Sequence, residues 1–378
     1  MSGDLRIYSP AEYTEFLAHY PDQKHSITAN LLLRPVTDFV SNMSARMLAM
    51  GDGREVWPIS INNQKHSNPI SCSPYTTYVK YPMHMIDKFE TLWLKLFVIG
   101  GTQLMGLVFK LTQLDKVILI NNSLNSVLKH PKLFGQQLPQ LTSLLKQVHP
   151  DRAILFFRVN SELDKEFMVV LQQQGYVLFP DRLVHLFDPE TGFIKQRNVR
   201  GDFAILRDTP YQIINHENIV ESDIPRIGEL YRRLFIDKYS PLNLQYTDEF
   251  FRQAINNRWH HYIAFRNSTG QIDAFISWYF NDNTMVCGPL GYDTTVHIEA
   301  GLYRMMISSA LKFSHENKIL FNLGAGSDDF KKKRGSRPVL EYTAVYYRHL
   351  SYYRQLPWMM VSRICSVLLP KLFNTNPL

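Results

Sequence analysis

Between residues 319 and 347 an apolar run, Ile319-Leu320-Phe321-Asn322-Leu323, gives way to Gly324-Ala325-Gly326. Ser327, Asp328, Asp329 and Phe330 follow, then the cations Lys331, Lys332, Lys333 and Arg334, then Gly335 and a second β-rich run over 339–347. The order reads as strand, glycine opening, basic helical turn, strand. Glycines at the carboxyl end of a strand expose backbone amides, and cations beside them can hold an anion. Lys331 and Arg334 stand three apart, so one helical turn puts them on one face. Together they would clamp a phosphate, the arginine as a planar fork and the lysine as a point charge. The same run also fits a solvated basic surface, to which Lys332 and Lys333 belong in either case.

Other residues carry chemistry with a plainer reading beside it. Asp328 and Asp329 can cap the basic turn or take a proton from an amine. Tyr342 sits on the final β-run, where a tyrosine can protonate a leaving group or simply pack. Tyr292 and Asp293 precede a long helix, and Asp293 fits an N-terminal dipole partner as well as a site residue. Arg158 and Arg182 lie in or beside apolar runs, and such cations need partners. Tyr75, with Ser73 and Tyr78, can line a cleft or finish a loop. Cys287 falls in an apolar run and reads as buried and inert. The thirteen histidines show no ligand spacing, and no metal site is expected.

The chain that must position these groups has 378 residues, 45% hydrophobic and 20% charged, enough for two or three domains with a large core. Its formal net charge of +7 favours anionic ligands but falls short of a nucleic-acid footprint, so DNA is not an expected partner. Three scattered cysteines form no disulfide framework, and the N-terminus has no secretory pattern. Both point to a reducing, cytoplasmic setting, extending to the inner membrane surface.

Hydrophobic periodicity predicts strands over 117–120, 153–157, 176–187, 203–206, 262–265, 274–280, 284–288, 319–323 and 339–347. Helices are expected over 38–50, 85–114, 138–147, 163–173, 222–238, 247–256 and 297–315. Residues 92–109 are broken by Lys95, Gly100, Gly101 and Gln103, a poor membrane span and a plausible buried helix. A polar stretch over 191–202 separates the halves, giving units 1–190 and 203–355 with an amphipathic tail, 356–378. The tail is apolar with Arg354, Arg363 and Lys371 close by, and it either docks on the first half or lies on a membrane surface.

This order resembles the GNAT acyltransferase fold, and more narrowly the double-GNAT proteins related to the FemABX aminoacyltransferases and the peptidoglycan- and cellulose-associated acetyltransferase-like group. The residues that carry it are Gly324-Ala325-Gly326, Phe330-Lys331, Arg334-Gly335, Pro338 and Tyr342. Ser73-Pro74-Tyr75, Tyr78, Phe157-Arg158, Asn160, Gly175-Tyr176 and Arg182 lend weaker support, and coverage runs over roughly 55–350. The resemblance implies an α+β chain of two GNAT-like halves, the first degenerate. Each half would have its own mixed, mostly antiparallel splayed sheet, and the two would meet along a cleft.

The resemblance also implies N-acyl or aminoacyl transfer to an amine. Acyl-CoA, another acyl thioester or aminoacyl-tRNA would be co-substrate, with no permanently bound cofactor. An acyl-carrier protein or tRNA would carry the donor, and a small molecule or cell-envelope precursor would supply the amine. Asp328 and Tyr342 would be catalytic. Gly324, Gly326, Lys331, Arg334, Tyr292, Asp293, Tyr75 and Arg158 would bind substrate or donor. Residues 291–301 depart from the Gln/Arg-x-x-Gly-x-Gly/Ala loop of ordinary GNAT acetyltransferases, which leaves the donor open. Such transfer needs little beyond a neutral amine, a polarised carbonyl and contact, so the lack of a nucleophile signature does not argue against it. The competing reading is a non-catalytic member of the fold that binds an anionic ligand or a partner protein.

Overall fold

The computed structural model describes residues 5–84, 92–126, 128, 130–131, 133 and 135–373, with the backbone alone for 92–98 and 372. The expected helical segment 85–91 and the tail end 374–378 lie outside the described residues.

The strands are β1 (Arg6–Tyr8), β2 (Arg46–Gly51), β3 (Val56–Asn63), β4 (Lys116–Ile120), β5 (Ala153–Asn160), β6 (Val177–Phe187), β7 (Gln212–Asn215), β8 (His261–Arg266), β9 (Ile272–Asn281), β10 (Thr284–Tyr292), β11 (Leu320–Asn322) and β12 (Arg337–Tyr346). The helices are α1 (Tyr13–His19), α2 (Ile27–Leu33), α3 (Tyr81–His84), α4 (Leu92–Leu111), α5 (Gln137–Val148), α6 (Lys165–Gln173), α7 (Arg197–Arg207), α8 (Ile224–Tyr231), α9 (Asp248–Asn256), α10 (Leu302–Glu316), α11 (Asp328–Lys332) and α12 (Tyr352–Phe373).

The sheet order is β1-β2-β3-β4-β5-β12-β6-β11-β10-β9-β8-β7. Each half contributes a run of antiparallel strands that leads into one parallel pair, β4 with β5 and β10 with β11. The expected halves are therefore present, but their sheets are not separate. Strand β12 belongs to the second half in sequence, yet it inserts between β5 and β6 of the first. The other edge of β6 pairs with β11, so hydrogen bonding runs unbroken across the chain. The physical reason is that an exposed strand edge is a row of unpaired donors and acceptors, and each half covers the other's.

Alternation along the strands assigns the faces. Val117, Leu119, Leu155 and Phe157 turn one way, into a core closed by α4 and α12 through Phe109, Trp358 and Val361. Ile118, Ile120, Ile154 and Phe156 turn the other way, against Leu141 of α5 and Leu171 of α6. The second half repeats this arrangement. Tyr262, Ala264 and Phe275 pack under α8 and α9, whereas Phe265, Ile276 and Trp278 pack against α10.

Two expected elements differ. Residues 203–206 form the end of helix α7, because Val199, Asp202 and Leu206 are buried at helical spacing. Residues 38–50 are not helical, and β2 starts at Arg46, where Met47 to Gly51 are buried on both faces between β1 and β3. The tail docks through Trp358, Val361 and Cys365, so α12 is part of the first half's cover.

Candidate functional site

Two features near the junction of the halves could do chemistry. The first is the glycine turn after β11. Gly324 and Gly326 have φ of 70° and 79°, and Ser327 has 54°. A side chain on either glycine would have to adopt this left-handed backbone, which glycine takes without steric cost. Lys331, 1% exposed, reaches under the turn. Its Nζ donates to the carbonyl oxygens of Leu323 at 3.2 Å, Gly324 at 2.9 Å and Ala325 at 2.9 Å. A trans peptide is planar with N–H opposed to C=O. Carbonyls that point in toward Lys331 therefore turn the N–H groups of Ala325 and Gly326 outward, where Ala325 and Gly326 are exposed. Successive outward amides form an anion-binding concavity. Burial lowers the Lys331 ammonium to about 8, opposed by the charges of Cys287 and Asp328.

Arg334 serves a different partner. Its Nε donates to Asp202 Oδ2 at 2.5 Å, and its guanidinium lies 3.3 Å over the Phe330 ring. Asp202 also accepts from Arg304 at 2.6 Å, so this carboxylate ties α7, α10 and the basic turn together. Lys331 and Arg334 thus act on separate protein groups rather than on one shared ligand face. Asp328 Oδ1 lies 2.9 Å from His185 Nε2, and His185 Nδ1 lies 2.8 Å from Ser336 Oγ. With a carboxylate on Nε2, that nitrogen carries the proton and Nδ1 accepts from the serine. Burial lowers the His185 pKa, opposed by its hydrogen bond to Asp328.

The second feature sits on the face between the α4/α12 cover and the α8/α9 cover. Two β-bulges flank it. Against β12, the register of β5 shifts between Phe156 and Val159, and that of β6 shifts between Pro180 and Arg182. A bulge places one extra residue and re-aims its neighbours. Here the extra residues are Arg158, held at φ 64°, and Asp181. A left-handed non-glycine costs about 1–3 kcal/mol and persists where the surroundings over-determine it.

Arg182 stands opposite Glu341 in the register and donates from Nε to Glu341 Oε2 at 2.7 Å. Arg158 and Arg182 both donate to the Ser126 carbonyl. Glu341 is 0% exposed, and its Oε1 has no hydrogen-bond partner among the described residues. Burial raises the Glu341 pKa, with the charge and hydrogen bond of Arg182 pulling it back. Burial lowers Arg158 to about 10, helped by the like charge of Arg182. Asp181 is raised by burial and lowered by both guanidinium groups. The π-helical turn Thr76–Lys80 brings Tyr78 Oη to 3.0 Å from Thr343 Oγ1. From the second half, the charges of Glu341 and Arg182 are felt by Tyr279, whose pKa burial raises. Clustered shifts of this kind, each with a specific charge partner, mark a candidate functional site. His185 of the first feature stands on β6 only three residues beyond Arg182, roughly 10 Å along the strand.

The remaining expected residues lie elsewhere. Tyr342 packs in the first half's core with Leu183 and Leu340. Asp293 binds Arg233 at 2.8 Å, Arg226 at 2.5 Å and Thr295. Burial opposes its ionisation, but Thr295 and Arg226 outweigh this and hold it at about 2. Tyr292 Oη lies 3.1 Å from Lys238 Nζ. Tyr75 lines a cavity of about 640 Å³ beside α4, and its backbone N–H donates to Asp115. The Cys287 thiol is buried and pushed up to about 12. Sequence reasoning missed Glu341, His185 and Ser336. A lone acid within Val339-Leu340-Glu341-Tyr342-Thr343-Ala344-Val345 and a histidine within Leu183-Val184-His185-Leu186-Phe187 were the available signals.

No family model and no curated protein matches the chain in sequence. Solved structures do match it in fold. Over 95% of this chain and 100% of the other, FemX superposes with a TM-score of 0.51 at 9% identity. The C-terminal domain of a putative lysylphosphatidylglycerol synthetase from Agrobacterium fabrum superposes with a TM-score of 0.50 at 11% identity, over 95% of this chain and 98% of that one. The chain is similar to both along nearly its whole length, and it shares their fold.

Proposed function

We propose that this chain transfers an acyl or aminoacyl group from a thioester or tRNA ester to an amine, by direct attack at the junction of its halves. The observation that carries this reading is Glu341, a fully buried carboxylate fixed through one oxygen by Arg182 with the other oxygen unpartnered among the described residues. A carboxylate with a raised pKa suits proton removal from an ammonium. In this scheme the acceptor nitrogen gives its proton to Oε1 and attacks the donor carbonyl carbon. The donor C–S or C–O bond breaks, the proton passes from Glu341 to the departing thiolate or alkoxide, and the new amide nitrogen sheds its second proton through the freed carboxylate to solvent. Arg158 and Arg182 would hold an anionic group of one substrate. The outward amides of Ala325 and Gly326 would take a second anionic oxygen, with Lys331 fixing the turn that aims them. Asp328 would act through His185. The fold neighbour named as a putative lysylphosphatidylglycerol synthetase keeps aminoacyl donors beside acyl thioesters. The acceptor would be a small-molecule or cell-envelope-precursor amine.

A thermal-shift screen against CoA thioesters, carrier-protein thioesters and aminoacyl-tRNA tests the donor, since a ligand of the folded state raises apparent stability. With that donor, Glu341→Gln should keep the thermal shift and lower turnover by about 10²–10⁴-fold. Unchanged turnover in Glu341→Gln would remove the residue from the mechanism.

A second reading, a double-GNAT protein that binds an anionic ligand without transfer, is favoured by one observation. Asp293, in the segment where GNAT enzymes bind their donor, is committed to Arg226 and Arg233. Donor-induced stabilisation with no product from any amine would select it.

A further inference from the structure

Helices α4 and α12, the longest in the chain at 20 and 22 residues, lie together over the first half. Phe109 of α4 and Trp358, Val361 and Cys365 of α12 share one core. Their outer sides are also apolar. Leu104, Leu107 and Leu111 of α4 are 57–70% exposed at i, i+3, i+7 spacing, and Met359, Val367 and Leu368 of α12 are 45–51% exposed. Of the eighteen large apolar side chains exposed among the described residues, nine fall on these two helices, so the patch is not scattered surface.

Its charge is one-sided. Neither helix contains an aspartate or glutamate. Lys110, Arg363 and Lys371 are exposed there, while Arg354 is turned inward to the Asp151 carbonyl. The cavity of about 640 Å³ opens at the edge of α4, with Leu107 and Lys110 in its lining and Lys80 on its far wall. Exposed leucine and methionine between cations, without acids, is the pattern of helices that lie in a bilayer interface. There the apolar side chains enter the acyl boundary and the cations meet lipid phosphates. A second copy of the chain fits less well. A twofold contact through this face would set Lys110, Arg363 and Lys371 against their own equivalents with no acid between them. No helix among the described residues is long and apolar enough to cross a membrane, so contact would be from one side.

We propose that the joint outer face of α4 and α12 is a docking surface for an anionic phospholipid bilayer. This stands independently of the transfer reading, and its test needs no donor.

The full-length protein is floated with vesicles of phosphatidylcholine alone and of phosphatidylcholine mixed with phosphatidylglycerol. Binding is expected to the mixed vesicles, weakening as salt is raised. Leu104→Glu/Leu107→Glu and Arg363→Glu/Lys371→Glu should each reduce the bound fraction at least about tenfold. Lys312→Glu/Lys318→Glu, an equal charge change at the end of α10 across the sheet, should leave it unchanged. Circular dichroism of each variant separates lost binding from lost fold. No binding to either vesicle, or an equal loss in the Lys312/Lys318 control, overturns the proposal. A dimer in sedimentation equilibrium that Leu104→Glu/Leu107→Glu dissolves, with no vesicle binding, would give the face to a second copy and also overturn it.

Discussion

Arg182 and Glu341 face each other across β6 and β12, and the 2.7 Å hydrogen bond between them uses one carboxylate oxygen and leaves the other without a partner among the described residues. Glu341 is buried and Arg182 half-buried, so removing the arginine alone leaves a buried carboxylate without its counterion. Arg182→Met should destabilise the fold by about 3–5 kcal/mol, the usual cost of stranding a buried charge. Arg182→Met with Glu341→Gln should recover much of that loss, because a neutral amide needs no counterion. Urea denaturation of both variants measures the coupling, and strictly additive losses would show that the pair is not a unit.

Lys331 carries the geometry of the glycine turn. Lys331→Met keeps the buried chain length and removes three donors from the Leu323, Gly324 and Ala325 carbonyls. A cost of about 2–3 kcal/mol is expected from the unpaired acceptors. Hydrogen exchange should rise at Leu323 and Gly324, whose N–H groups donate to the His185 carbonyl and to Asn322 Oδ1, before it rises in β11. Lys332→Met, at an exposed neighbour, should change neither. A Lys331→Met variant with full stability and unaltered exchange would leave the turn without the support described.

From residue 222 onward the helices and strands were legible because their apolar spacing is strong, and the Gly-Ala-Gly turn was legible because glycines at a strand end have few other uses. The role of Lys331 was not. Helical spacing set Lys331 and Arg334 apart from Lys332 and Lys333, but only folding shows that Lys331 turns inward under three carbonyls instead of out toward a ligand. Arg158 was legible as a cation in need of a partner. Its companions were not, since Asp181 and Glu341 reach it through two bulges, and the change of phase that a bulge makes is hidden in a strand buried on both faces, as β5 is. The joining of the two sheets was hidden for a related reason. The pairing of β12 with β5 links residues far apart in sequence, and periodicity reports only which face a strand buries.

Asp293 should shape the acid limb of stability. Its folded pKa, about 2, lies below the ordinary aspartate value of 3.8. A depressed carboxylate stabilises the fold above its unfolded pKa and loses that contribution as pH falls through its folded one. The window is therefore about pH 4 down to pH 2. Asp293→Asn should cost about 1.5–3 kcal/mol at neutral pH through weakened bonds to Arg226 and Arg233, and the difference from wild type should shrink as pH approaches 2. Thermal midpoints measured across that range check this. A constant difference would mean that Asp293 is not ionised in the folded protein.

Glu341 should behave in the opposite sense, and this separates its structural effect from its proposed catalytic one. Its folded pKa is raised above the ordinary glutamate value of 4.5, chiefly by burial. Between the two values the folded state holds the proton that the unfolded chain has released, so wild-type stability falls as pH rises through that window. Glu341→Gln cannot release a proton there and should lack this decline, becoming relatively more stable as pH rises. Proton abstraction requires the carboxylate, so wild-type turnover should rise with pH over the same window. Stability and turnover would thus move in opposite directions in wild type, and Glu341→Gln would abolish both trends. Paired denaturation and turnover profiles decide the matter. A turnover profile that is flat through the window in which wild-type stability declines would leave Glu341 as a buried structural acid and move the base to another residue.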